Sequence, residues 1–67
     1  MNWDQIKRGW NEVSDRIKRT WGKLSEDDLA AIAGQRDQLV GLLQERYAYA
    51  RVVAENKVDK FARGLKP

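Results

Sequence analysis

Six cations mark the first third of the chain: Lys7, Arg8, Arg16, Lys18, Arg19 and Lys23. Clustered Lys and Arg are what a phosphate-bearing partner requires, so the first chemistry to consider is anion binding. Asp4, Glu12 and Asp15 stand four residues before Arg8, Arg16 and Arg19. On a helix each such pair is adjacent and contributes about 0.2–0.5 kcal/mol. The pattern predicts a solvated face with internal pairing, since a dedicated phosphate stripe would avoid acids. Weak binding to nucleic acid or to an anionic membrane surface through these six residues is the alternative reading.

The other reactive types are few. Trp3, Trp10 and Trp21 could stack bases, but they share a face with Ile6, Val13 and Ile17 and are expected in the core. Glu26-Asp27-Asp28 could be a metal or acid–base cluster. A calcium loop spreads its oxygens over about 12 residues around a glycine, a pattern missing here, so the three acids read as partners of a helix start. Ser14, Thr20 and Ser25 are the only Ser or Thr hydroxyls, and no base stands at a recognisable spacing from them. The chain has 67 residues, without Cys or His, which removes disulfides, thiol and imidazole catalysis and the usual zinc and haem ligands. A domain this small is expected to leave little room for a pocket of about 300 Å³ or more. The expectation is therefore a non-enzyme with no catalytic residue, cofactor, metal or small-molecule substrate.

The elements that position these residues are helical. Trp3, Ile6, Trp10, Val13, Ile17, Trp21 and Leu24 fall within about an 80° arc at helical periodicity. This predicts one amphipathic helix over residues 2–24, capped by Asn2 with Gln5 and ended by a left-handed Gly22. Ser25 caps a second helix of about two turns, with Leu29, Ile32 and Ala33 as its apolar face and Gly34 as its stop. A third begins near Gln35 and presents Leu39, Val40, Leu43 and Tyr47, with Gly41 weakening it by about 1 kcal/mol. A fourth carries Ala54, Val58, Phe61 and Leu65. The fold class is all-α, one small domain over residues 1–67. No segment has the 20 or so apolar residues of a membrane span. The N-terminus does not read as a signal peptide, so a soluble cytoplasmic protein is expected.

Met1 to Ile6 with Trp10, Trp21-Gly22-Lys23-Leu24-Ser25-Glu26-Asp27-Asp28-Leu29, Gly34 to Gly41 and Gln44-Glu45-Arg46-Tyr47 together resemble the CsbD-like family of small bacterial stress-response proteins. Ala54, Val58, Asp59 and Phe61 keep the register beyond them. The resemblance implies a cytoplasmic antiparallel bundle of four short helices, induced under general stress. It implies no established enzymatic activity and offers no agreed site residues to carry over. The chain departs from the family pattern in one region. Members usually have Gly where Ala48 stands, Thr or Ser at Ala50, acids at Val52 and Val53, and Lys at Leu42.

Those departures bear on the join at residues 47–50, Tyr-Ala-Tyr-Ala, which carries no turn residue. Leu43, Tyr47, Ala50, Ala54, Val58, Phe61 and Leu65 would line one stripe of an unbroken helix. Two arrangements follow: the four-helix bundle, or a self-associated form in which the third and fourth helices fuse into one rod about 45 Å long. Leu42, Tyr47, Ala50, Val52 and Val53 are the candidate self-association residues. The partners expected are a second copy or another, unidentified protein. The functional expectation is a non-enzymatic bacterial general stress-response protein acting by binding or physical protection.

Overall fold

Asn2 starts the first helix as its sequence neighbours predict. In this computed structural model, which describes residues 2–65, the Asn2 side chain accepts the Gln5 backbone N–H at 2.9 Å. Gln5 Oε1 accepts the Asn2 N–H at 3.1 Å, closing a capping box on α1, Trp3–Arg8. The single helix expected over residues 2–24 is two helices. Gly9, at φ −99° and ψ 28°, separates α1 from α2, Trp10–Thr20. Glycine is among the weakest helix formers, and the break falls on it. The apolar stripe survives the interruption: Ile6, Val13, Ile17, Trp21 and Leu24 are buried, while Trp3 and Trp10 are half-buried against the same core.

Gly22 does not end α2 by turning left-handed, as the sequence suggested. The helix stops at Thr20, and Trp21 leaves it at φ −124° and ψ 82°, neither helical nor left-handed. The indole is thereby turned inward to 6% exposure, with its ring centroid 5.2 Å from that of Phe61. Packing an aromatic surface outweighs one more helical hydrogen bond here.

A second capping box opens α3, Glu26–Ile32. Ser25 Oγ accepts the Asp28 N–H at 3.1 Å, and Asp28 Oδ2 accepts the Ser25 N–H at 3.0 Å. Ala33 is not part of this helix's apolar face. It is exposed, sits just past the helix and is left-handed, at φ 47°. Gly34 follows at φ 80°, and a Cβ there would lie 2.7 Å from Lys7 Cα. Glycine is required at this position both by its backbone and by the close crossing of α1. α4, Arg36–Tyr47, begins after an uncapped Gln35 and buries Leu39, Val40 and Leu43.

The fused rod is not what the chain forms. α4 ends at Tyr47, Ala48 is left-handed at φ 57° and ψ 32°, and Ala50 is the extended N-cap of α5, Arg51–Gly64. A left-handed alanine is disfavoured by about 1–2 kcal/mol, and local propensity alone gives no reason for the turn. The reason is tertiary. The turn stacks Tyr47 on Tyr49, with ring centroids 5.3 Å apart and planes 9° from parallel. Lys23 Nζ caps one ring at 5.1 Å, and Lys57 Nζ caps the other at 5.2 Å. The reversal also lays Ala54, Val58, Ala62 and Leu65 on the core, a burial the rod could obtain only from another chain.

The described residues thus form five helices rather than four, and no strand. α5 does not simply run beside α4 from end to end. Arg36 and Asp37, in the first turn of α4, reach Arg51, Glu55 and Asp59, which span about 12 Å of α5. α5 therefore crosses the start of α4. Its other flank faces α2.

Candidate functional site

Ion pairs join four of the helices, α2 to α5. Arg46 on α4 donates from Nε and Nη2 to the two carboxylate oxygens of Asp28 on α3, at 3.1 and 2.9 Å. Arg36 makes the same forked contact with Asp59 on α5, at 2.9 and 3.1 Å. Asp28 is 8% exposed, and the Arg46 guanidinium, helped by the Ser25 N–H, pulls its carboxyl down to about 2. Arg36 likewise holds the Asp59 carboxyl below the ordinary carboxylate range.

The six basic residues singled out in the sequence are not one surface. Lys7 lies against the Gly34 turn. Lys18 donates to Glu26 on α3 at 2.8 Å. Lys23 is over Tyr47, and its backbone N–H donates to the Tyr47 hydroxyl at 3.2 Å. Arg8 is exposed. The three expected i,i+4 pairs do not form. Among the described residues Asp4, Glu12 and Asp15 make no ion pair, and Arg51–Glu55 is the i,i+4 pair that does form. An exposed pair of this kind gains little over hydration, so its absence on α2 has a ready physical reason.

Arg16 and Arg19 are left without a carboxylate, and the fold brings them to α5. A groove of about 410 Å³ runs between the two helices, lined by Arg16, Arg19, Thr20, Lys60, Phe61, Gly64 and Leu65. A second groove of about 250 Å³ adjoins it, sharing Thr20, Lys60 and Phe61 and adding Trp21 and Lys57. So small a domain was expected to leave little room for a pocket, and the space it does offer lies on its surface. The space is an open trough between helices and needs no enclosing walls. Among the described residues no Asp or Glu lines either part. Four cations, Arg16, Arg19, Lys57 and Lys60, therefore border a floor made by Phe61, Leu65 and the edge of Trp21. None of the four makes an ion pair among the described residues. Lys57 and Lys60 went unnoticed in the sequence. The signal was there in Lys57-Val58-Asp59-Lys60-Phe61, where two lysines three apart share one helix side with the aromatic residue that follows them.

The hydroxyls are committed to backbone. Ser14 donates to the Asn11 carbonyl at 3.0 Å, Thr20 to the Arg16 carbonyl at 2.9 Å, and Ser25 accepts at the α3 cap. Among the described residues no group of three His, Cys, Asp or Glu is placed to hold a metal ion. Of the candidate self-association residues, Leu42 and Tyr47 are half-buried against the core and Ala50 is exposed at the α5 N-cap. Val52 and Val53 are exposed, at 62% and 39%.

The profile of the CsbD-like family matches residues 4–60. The chain belongs to the CsbD-like family. It is 46% identical over 61 residues to the UPF0337 protein YjbJ of Escherichia coli O6:H1, covering 91% of this chain and 88% of that protein. It is 50% identical over 58 residues to the UPF0337 protein ECA0631 of Pectobacterium atrosepticum, covering 87% and 84%. Against the UPF0337 protein NE2439 of Nitrosomonas europaea it is 45% identical over 62 residues, which is 92% of this chain and 66% of that longer protein. The CsbD-like match runs from α1 to Lys60, so it takes in the α2 side of the trough with Lys57 and Lys60, while Phe61, Gly64 and Leu65 lie beyond it. Among the described residues no helix is long and apolar enough to cross a membrane.

Proposed function

We propose that this CsbD-like protein is a non-enzymatic stress-response protein that acts by binding or physical protection, and that it works through an anionic partner held on the α2–α5 face. The observation that carries this reading is the trough bordered by Arg16, Arg19, Lys57 and Lys60, lined by no Asp or Glu among the described residues. A groove bordered by one sign of charge over low-dielectric walls concentrates counter-ions and ligands of the opposite sign. The perturbed carboxylates support binding over catalysis. Asp28 and Asp59 are shifted downward by their arginine partners, which makes them poor proton acceptors near neutral pH. Both are occupied in fastening helices.

The test is a titration followed by amide chemical shifts at low salt, using acetate, inorganic phosphate and vesicles with anionic lipid as probes. Shifts centred on Arg16, Arg19, Lys57 and Lys60, fading as salt is raised, are expected. A flat response of all four residues to every anionic probe at low salt would reject the reading.

A further inference from the structure

α5 joins the rest of the chain through a wide seat and a short link. The seat is the core, which takes Ala54, Val58, Ala62 and Leu65, packs Trp21 on Phe61 and forks Arg36 onto Asp59. The link is residues 48–50, between the end of α4 at Tyr47 and the start of α5 at Arg51. Its first residue, Ala48, is left-handed at φ 57°, and the link contains no Gly, Pro, Asn or Asp to ease the reversal. A short strained hinge beside a large seat is the arrangement that favours exchange of an element between copies of one chain.

The ring contacts around the hinge divide at Ala48. Lys23 over Tyr47, with the Lys23 N–H donating to the Tyr47 hydroxyl, stays with the body. Lys57 over Tyr49 travels with α5. The stack of Tyr47 on Tyr49 is what crosses the division. In an opened, right-handed hinge two rings two residues apart no longer face each other. Opening therefore gives up that stack and releases the left-handed alanine, while the contacts of the seat can be made again by the α5 of a second copy.

We propose that two copies of this chain open at Ala48 and exchange α5, forming a domain-swapped dimer. The occupant of each seat is then the α5 of the other copy, and its fit is the fit seen within one chain. Val52 and Val53 follow the hinge directly and stay exposed when α5 is seated, so they supply apolar surface for the new contact between copies. Each α2–α5 trough is completed by both copies, with Arg16 and Arg19 from one and Lys57 and Lys60 from the other. The exchange needs no anion, so it stands or falls apart from the binding reading above.

Complementary charge reversals at the Arg36–Asp59 fork test the exchange. Arg36→Glu and Asp59→Arg each set like charges together when α5 folds back on its own chain. After exchange between one copy of each variant, both forks are again made of opposite charges. Co-refolding the two variants from denaturant at high protein concentration should give a two-chain mass by light scattering and a melting temperature above that of either variant alone. A mixture that melts as the sum of its parts with the mass of one chain would overturn the proposal. A two-chain mass without that gain in melting temperature would overturn it too, since the copies would then touch through an outer face. The parent chain, refolded in the same way, carries the second test. Ala48→Gly should lower the dimer-to-monomer ratio by at least about tenfold, because two hinges no longer gain from opening. Ala48→Val should raise it, because a β-branched residue is worse still at positive φ. A parent that refolds to one chain at every concentration, or a ratio that is the same for all three residues at position 48, would reject the exchange.

Discussion

The two flanks of α5 are built on opposite electrostatic rules. Toward α4, every cation in reach is matched: Arg36 is forked onto Asp59 and close to Glu55, and Arg51 lies between Asp37 and Glu55. Toward α2, Arg16, Arg19 and Lys60 meet across a trough that no Asp or Glu among the described residues lines. Both flanks rest on the same buried residues, Ile17, Leu39, Leu43 and Val58 among them. Folding therefore does not require the cations on the α2 side to be matched. Like charges brought together at a seam oppose folding slightly, and a seam that keeps them is poised for an external anion.

The comparison breaks most visibly where the fastened side cannot yield. Gly34→Ala is expected to destabilise the protein by about 2–5 kcal/mol. Roughly 1–2 kcal/mol comes from the left-handed backbone, and the rest from pushing α1 off the turn. The new Cβ would lie 2.7 Å from Lys7 Cα, and neither backbone can move without disturbing its own helix end. A denaturant melt measures this directly. A loss below about 1 kcal/mol would show that α1 is only loosely held over the turn.

Acid sharpens the contrast next. The Asp28 carboxyl sits at about 2 in the folded protein against an ordinary 3.8, because Arg46 donates two hydrogen bonds to its ionised form. A depressed carboxyl favours folding in full above the ordinary value and loses that contribution as pH falls from about 4 toward 2. The Asp28→Asn variant should melt lower than the parent at neutral pH, and the two curves should converge near pH 2. Parallel curves through this window would mean that the Arg46 fork does not hold α3 to α4. Nothing on the α2 side of the trough should add to the acid dependence, since no Asp or Glu among the described residues lines it.

Much of this was legible in the residues before the structure. The caps at Asn2 and Ser25 depend on local geometry, and their side chains sit where a capping box puts them. The apolar stripe from Ile6 to Leu24 was also legible, because burial follows periodicity even where Gly9 interrupts the helix. The turn at Ala48 was not. Its residues carry no turn propensity, and the stabilising contacts come from Lys23, Tyr49 and Lys57, which are distant in sequence or visible only after the chain reverses. The trough was illegible for the same reason. Arg16 and Arg19 looked paired with acids on their own helix, and only the placement of α5 beside them supplies Lys60 and the Phe61 floor. The sequence left no room for a small ligand, since it does not reveal a space between helices.

The Ala48 turn yields a third, smaller effect. Ala48→Gly should stabilise the protein by about 1 kcal/mol, because the left-handed penalty of the alanine is removed while the Tyr47–Tyr49 stack stays in place. A rise in melting temperature of about 4–8 °C is the corresponding reading for a domain of this size. A fall instead would mean that the alanine methyl group takes part in packing at the turn. Arg16, Arg19 and Lys60 lie away from the turn, so anion binding at these three should not respond to the change.

The smallest expected effect is the one that separates the two flanks. Arg16→Gln and Lys60→Gln each remove a charge that the folded chain does not use, and both residues are exposed. Surface changes of this kind move stability by no more than about 0.5 kcal/mol, or about 2–4 °C in melting temperature here. Relief of mutual repulsion across the trough would place the shift on the stabilising side, and more so at low salt, where screening is weakest. Arg36→Gln, on the opposite flank, should destabilise the protein at every salt concentration, because it leaves Asp59 without its forked partner. A destabilisation of equal size on both flanks would show that the trough cations hold helices together after all. A salt-dependent gain on the α2 side alone would show that the fold tolerates them for another purpose.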